Sequence, residues 1–285
     1  MDKQLKLLIG GSLADGGAGT FDVVNPATGK AFAQCPKASE AQLDEAVAAA
    51  KAAFPAWAAT DAGERGAMLA KLADALEARV AEFASLLTME QGKPTRQAMG
   101  EIIGSTYVLR AFVDKRVEPV VLRDKGGKTV TEHRTPLGVV AAITPWNYPV
   151  MMLVQKLAPA LVTGNTMVLK PAPTTPLTSL LFAELASEIL PAGVFNVICD
   201  ENDLGGKLTA HPGVAKIAFT GSTATGKKVM ASAAAMVKRV TLELGGNDAA
   251  IVLDDIDAKA VAKKIYEGAM TNAGQICVAI KRAYV

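Results

Sequence analysis

Two histidines and three cysteines are all that 285 residues offer of the side chains that build zinc sites and disulfide frameworks. His133 and His211 do not suffice for a zinc-type ligand set. Cys35, Cys199 and Cys277 are odd in number, far apart and free of C-x-x-C spacing, which argues against a disulfide scaffold and for a reducing compartment. Aromatic residues make up 5% of the chain and nowhere alternate with a basic stripe. The 30 basic residues nearly balance 28 acidic ones, so no net field draws the chain to nucleic acid or to a membrane surface. Long apolar runs are missing too. None approaches the ~18 residues of a membrane span, and Leu7-Leu8-Ile9 behind the N-terminal lysines is too short for a secretion signal. The expectation is a soluble, cytoplasmic protein with no metal, nucleic-acid or membrane partner.

What is present is half apolar. That is enough for a sizeable core, and the length most simply implies two domains of roughly 100–200 residues each. Residues 1–37 read as short strands and turns, punctuated by Asn25-Pro26 and Thr28-Gly29. Ser39 and Gln42 form a capping box that predicts a helix over about 39–54. Asp61 and Glu64 carry the next capping signature. Leu69, Leu72, Leu76, Val80 and Phe83 then recur at spacings of three and four, which predicts one helix through Phe83. A third helical stretch covers 95–113. Two β-rich runs around Lys125-Gly126-Gly127-Lys128 predict a hairpin over 117–135. From Leu137 the pattern changes: apolar β-type runs at 137–143, 166–170, 194–199, 214–219 and 238–242 alternate with helical segments. Such alternation predicts a parallel sheet covered on both faces, with ligands received at the carboxyl ends of its strands. The loops of interest therefore follow Ile143, Leu169, Phe219 and Leu242.

Each of those loops carries an unusual cluster. Thr144-Pro145-Trp146-Asn147-Tyr148-Pro149 is either a proline-framed turn or a rigid mount for the Asn147 amide, a group suited to stabilising a developing oxyanion. Lys170 is either a solvated strand-end lysine or one placed to reach ribose hydroxyls or a phosphate. The stretch 218–228, AFTGSTATGKK, puts Gly221, Gly226 and Lys227 in register with a Walker A loop, yet Lys228 stands where the magnesium-binding hydroxyl belongs. It is a damaged nucleotidase loop or a turn for another phosphate compound. Glycines at a strand-to-helix turn let the backbone approach a phosphate at the helix N-terminus, with no metal required. In LELGG, 242–246, Glu243 falls in a strand expected to be buried on both faces, where a carboxylate is costly unless it has a task such as general base. Cys277, in GQIC at 274–277, reads by itself as a small buried hydrophobe, as do Cys35 and Cys199.

Taken together and in this order, PWN, Lys170-Pro171, FTGST-x-x-G, LELGG and GQIC resemble the aldehyde dehydrogenase superfamily. NPATG at 25–29, AFPAW at 53–57 and Gly92-Lys93-Pro94 resemble its N-terminal region, so the similarity runs along the whole chain. The resemblance implies an α/β fold: a doubly wound, mostly parallel, Rossmann-like sheet in 1–116 and 136–245, a β-hairpin oligomerisation arm in 117–135, and the start of a second α/β catalytic domain in 246–285. It implies that 221–226 is the family's own glycine turn for a nicotinamide dinucleotide, NAD or NADP. Residue by residue, Cys277 resembles the nucleophile that forms a thiohemiacetal and then a thioester. Asn147 and the Cys277 backbone N–H resemble the oxyanion site, and Lys170 belongs to the same catalytic set. Glu243 resembles the general base that activates the hydrolytic water. Thr144, Trp146, Lys170, Gly205, Gly221, Ser222, Gly226 and Leu244 match cofactor-contacting positions. The implied substrate is a small-molecule aldehyde, and the apolar flanks Tyr148, Met151, Ile276 and Val278 lean towards an uncharged one. The family also implies a homo-oligomer at full length.

Two departures stand out. Pro173 occupies a position where NAD-preferring members commonly carry a glutamate that repels a 2′-phosphate, so tolerance of NADP is expected. The sequence also stops at Val285, eight residues beyond Cys277, whereas the family's chains continue through most of a catalytic domain. Poor activity and a tendency to associate are therefore expected of 1–285 by itself. Two other classes stay open at this level: a non-catalytic dinucleotide-binding scaffold and a P-loop NTPase.

Overall fold

A computed structural model describes residues 4–285. Its N-terminal segment forms two antiparallel pairs, β1 (Leu7–Ile9) with β2 (Ser12–Ala14) and β3 (Thr20–Asn25) with β4 (Lys30–Pro36). The predicted capping box is present at α1 (Glu40–Ala59): Ser39 Oγ accepts from Gln42 N–H and Gln42 Oε1 from Ser39 N–H. The helix runs past the expected end at Phe54 and through Pro55, because Trp57 on its last turn is buried in the core. The single helix expected after Asp61 is two. α2 (Ala62–Ala78) and α3 (Val80–Gln91) meet at Arg79, whose φ of −113° and ψ of 18° break the helical run. The apolar spacing stays in phase across that break, and Leu69, Leu72, Leu76 and Phe83 are all fully buried. This is why the pattern does not reveal the break. α4 (Thr95–Ala111) follows, then the hairpin of β5 (Val120–Lys125) and β6 (Lys128–Glu132), turned by Gly126 and Gly127 at φ 63° and 71°.

The alternating half builds the main sheet from β7 (Val139–Ile143), β8 (Thr166–Lys170), β9 (Phe195–Val197), β10 (Val214–Thr220) and β11 (Arg239–Glu243). Between them run α5 (Pro149–Val162), α6 (Leu177–Ser187), α7 (Gly205–Ala210) and α8 (Thr223–Ala234). The order is β11-β10-β7-β8-β9-β1-β2, with the first five strands parallel and β1 and β2 added antiparallel at one edge. β7 and β8 are buried along their whole length, as continuous apolar strands should be. β11 is not. It forms the opposite edge, and its residues alternate between exposed and half-buried. The expectation of burial on both faces fails there, and with it the argument that Glu243 must be a costly buried carboxylate: the side chain is exposed.

α2, α3 and α4 form a second helical layer over α5 and α6, and two buried glutamates tie the layers together. Neither α5, which begins Tyr148-Pro149, nor α6, which begins after Pro176, has a capping side chain of its own. Their orphan N–H groups need partners. Glu101 on α4 accepts from Val150 and Met151 N–H at 3.0 and 3.2 Å. Glu90 on α3 accepts from Leu177 and Thr178 N–H at 2.7 and 3.0 Å. The last segment makes a separate two-stranded parallel sheet, β12 (Asp248–Ile251) with β13 (Ile280–Tyr284), joined through α9 (Ala258–Met270) and a 3₁₀ turn at Thr271–Gly274. Among the described residues no helix is long and apolar enough to cross a membrane.

Candidate active site

The chain passes from β7 outward to β8 and β9, then returns to lay β10 on the other side of β7. This reversal is the topological switch point, where an open parallel sheet leaves a crevice beyond its carboxyl ends. The strand tips are in step: Ile143 pairs with Lys170 and with Phe219, and Thr220 with Glu243. The loops leaving them enclose an open cavity of about 1750 Å³. Thr144, Trp146 and Asn147 line it from the β7 loop, and Lys170 from β8. Gly205 reaches it from α7, Gly221 and Ser222 from the β10 turn, and Glu243 and Leu244 from β11. The 3₁₀ turn brings Gln275, Ile276 and Cys277 to the same space. Ten of the eleven sequence-predicted positions thus share one cavity. The exception is Gly226, which is buried behind the turn; a Cβ there would lie 2.5 Å from Leu244 Cδ2, so its lack of a side chain makes room for Leu244.

Local contacts fix the individual groups. Thr144 Oγ1 is buried and has no hydrogen-bond partner among the described residues, the state of a hydroxyl that a ligand would satisfy. Lys170 is not a solvated strand end. It is 4% exposed, and its Nζ lies 2.5 Å from Asp200 Oδ1. The other Asp200 oxygen accepts from Leu204 N–H at 2.7 Å and so fixes the start of α7. A Cβ at Gly205 would stand 3.2 Å from Lys170 Cε, so a side chain there would crowd the lysine. Ser222 caps α8 by accepting from Thr225 N–H at 3.2 Å, and Gly221 N–H donates to the Glu243 carbonyl at 3.0 Å. In this turn Lys228, not Lys227, lines the cavity, the reverse of what a nucleotidase loop needs. Cys277 is the exposed cysteine, whereas Cys35 and Cys199 are buried. The turn before it carries Asn272 and Ala273 at φ 52° and 56°, and Asn147 Nδ2 donates to the Gln275 carbonyl at 2.8 Å.

The profile of the aldehyde dehydrogenase family matches residues 13–285. The chain belongs to that family. It is 42% identical over 277 residues to the glutarate-semialdehyde dehydrogenase of Pseudomonas aeruginosa, an alignment covering 95% of this chain and 57% of that protein. A solved NAD+ complex of an aldehyde dehydrogenase from Bacillus cereus superposes with a TM-score of 0.95 at 36% identity, covering 99% of this chain and 59% of the other. An NADP-dependent enzyme from E. coli superposes equally well, with a TM-score of 0.95 at 39% identity, covering 99% and 60%. The chain therefore spans less than two thirds of the length of each of these relatives.

Three features of this aldehyde dehydrogenase chain escape a reading of the sequence. Lys156, on α5, lines the cavity and donates to Thr220 Oγ1 at 2.6 Å. Burial pulls its ammonium down to about 8, against the attraction of Glu243. The buried Lys93–Glu101 pair reaches the Asn147 loop from behind. Asn272, 4% exposed, donates to the Asn147 and Gln275 carbonyls at 3.4 and 3.2 Å. For Lys156 the local signal is a charge on a strongly apolar helix stretch, PVMMLVQKLAPALV. The Lys93 and Asn272 contacts to Asn147 span 54 and 125 residues, and no local pattern announces those pairings.

Proposed function

We propose that this chain carries the nucleotide-binding and nucleophile-bearing part of an NAD(P)-dependent aldehyde dehydrogenase that oxidises an aldehyde to a carboxylic acid. The observation that carries the reading is the shared cavity: Cys277, Glu243 and Asn147 line one space beside the Gly221–Ser222 turn. The Cys277 thiolate adds to the aldehyde carbonyl, a C–S bond forms, and the oxygen takes the charge. An amide nitrogen carries two hydrogens. One of those on Asn147 goes to Gln275, and the other, with the Cys277 backbone N–H, receives the oxyanion. Glu243 then takes a proton from the water that attacks the Cys277 thioester, and the acid departs.

A nicotinamide dinucleotide fits the remaining donors. The unsatisfied Thr144 hydroxyl, the side-chain-free positions 205 and 221, the capped N-terminus of α8 and the Lys170 ammonium are what its hydroxyls and phosphates require. Thr144, Trp146, Lys170, Gly205, Gly221, Ser222 and Leu244 would hold it, with Gly226 acting through Leu244. Bound there, it supplies the hydride acceptor that the oxidation needs. Tyr148, Met151, Ile276 and Val278 all line the cavity and support an uncharged aliphatic or aromatic aldehyde. The semialdehyde named for the Pseudomonas aeruginosa relative favours a carboxylate-bearing one, and turnover across an aldehyde series separates the two. Association of copies through the β5–β6 hairpin belongs to the same reading.

The test is stopped-flow dinucleotide reduction by the full-length protein as wild type, Cys277→Ser and Glu243→Gln. Glu243→Gln should give a burst near one equivalent per site, then turn over about 10²–10⁴-fold slower, and Cys277→Ser should give no burst. Near wild-type steady turnover by Glu243→Gln would defeat the assignment. With Pro173 in place of a repelling carboxylate, worth several kcal/mol when like charges meet, both dinucleotides should be used. A kcat/KM preference for NAD above about a thousandfold, roughly 4 kcal/mol, would reject that part.

A further inference from the structure

Gly92-Lys93-Pro94 marks a resemblance in the sequence, but the function proposed above does not use it. The fold gives it a place. Gly92, at φ 90°, ends α3, and Pro94 precedes α4, so Lys93 turns inward beneath the Asn147 loop. Its Nζ lies 2.5 Å from Glu101 Oε2, donates to the Asn147 carbonyl oxygen at 2.8 Å and sits 3.7 Å from the centroid of the Tyr148 ring. The two charged side chains are 1% and 0% exposed. Glu101 Oε1 meanwhile holds Val150 and Met151 N–H. One buried pair thus grips the main chain at Asn147 and the helix that starts just after it.

We propose that Lys93 and Glu101 are positioning residues for the oxyanion contact: they hold the Asn147 peptide so that its side-chain amide points into the cavity. The inference rests on the oxyanion role of Asn147 given above. Neither residue lines the cavity, so neither is a catalytic residue. The backbone end of Asn147 is fixed by Lys93 Nζ and Asn272 Nδ2, and the side-chain end by the Gln275 carbonyl. Releasing the Lys93 contact leaves Asn147 with only its partners on the Cys277 turn, Asn272 and the Gln275 carbonyl. A displacement of about 1 Å at such a donor is enough to slow chemistry about a hundredfold. Stability alone does not account for the pair, because replacing both members of a buried ion pair with neutral residues is often neutral for folding.

The test needs a reaction that passes through an oxyanion without a dinucleotide. Acylation of Cys277 by p-nitrophenyl acetate does: the thiolate attacks the ester carbonyl, the C–S bond forms, the C–O bond to nitrophenolate breaks, and nitrophenolate leaves with the electron pair. Alkylation by iodoacetamide forms the S–C bond as iodide departs and involves no oxyanion. Both rates are measured on the full chain in wild type, Asn147→Ala, Lys93→Met/Glu101→Gln and the combination of all three. The double variant keeps an acceptor for α5 and leaves no lone buried charge.

We expect acylation to fall about 10–100-fold in the double variant while alkylation stays within about twofold. Adding the double substitution to Asn147→Ala should slow acylation no further. Wild-type acylation in the double variant alongside slow acylation in Asn147→Ala overturns the positioning role and leaves the oxyanion role standing. Wild-type acylation in Asn147→Ala overturns the oxyanion role and this inference with it. A parallel fall in acylation and alkylation reduces the pair to a purely structural role and overturns it too. If near-UV circular dichroism shows the double variant unfolded, Lys93→Arg decides, because it keeps the charge and the Glu101 partner but not the ammonium geometry. Slowed acylation with unchanged alkylation supports the proposal, and unchanged acylation overturns it.

Discussion

Glu90 is fully buried, with two α6 N–H groups and the Thr178 hydroxyl on its carboxyl group. Burial pushes it up from 4.5 to about 7, and those hydrogen bonds only partly offset the shift. The sign of the consequence is fixed by proton counting. Between pH 4.5 and 7 the folded chain holds a proton that the unfolded chain has released, so Glu90 makes stability fall as pH rises through that window and level off above it. Other carboxylates contribute their own slopes, so the measurement is a difference. The unfolding free energy of wild type minus that of Glu90→Gln, from urea melts, should drop by on the order of 1–3 kcal/mol between pH 5 and 8. A flat or rising difference would show that the carboxyl is charged throughout. Nothing local marks Glu90, Glu101 or Lys93 as buried. They stand on amphipathic helices or at their ends, among other charged residues that are exposed, and what distinguishes them is a partner on a distant element. Asn147 and the glycine turn stood out in their loops, but Cys277 reads by itself as a buried hydrophobe and only the ordered motif set singled it out; the structure leaves it exposed, lining the same cavity. Glu243 was singled out for a burial it does not have: it lines the cavity, but its side chain is exposed on an edge strand.

At the scale of elements, the strands of the alternating half were readable to within one or two residues, because their apolar runs are short, rich in β-branched residues and alternate with helical segments. The break at Arg79 was not readable, for the in-phase spacing described above. The hairpin was readable from its Gly-Gly turn, and the structure adds what its faces do. Val121 is 58% exposed, Leu122 61% and Val130 46%. An isolated two-stranded hairpin is marginal in water, and an exposed apolar edge invites pairing. The hairpin should therefore be covered by another copy in the assembled protein. Val121→Asp/Leu122→Asp should lower the molar mass measured by light scattering behind size exclusion to that of a smaller assembly or a monomer, with the fold intact by circular dichroism. A wild-type protein that is already monomeric at micromolar concentration would refute this.

Across the whole molecule, alternating β and α segments were enough to foresee a mostly parallel sheet, and the loops they flagged do line one cavity at its strand tips. The strand order was beyond reach, because parallel strands carry no local mark of which neighbour they choose. Hardest of all was the three-residue β1, whose partner is the third strand of the β–α series: Leu8 pairs with Val197. That pairing sets a clock on biosynthesis. With about 190 residues between the partners and elongation at about 5–20 residues per second, the segment carrying Leu7 and Leu8 leaves the ribosome roughly 10–40 s before its seat in the sheet exists. Two leucines that end fully buried spend that interval in solvent or in the hands of a chaperone, and the sheet edge closes only after β9 has been made.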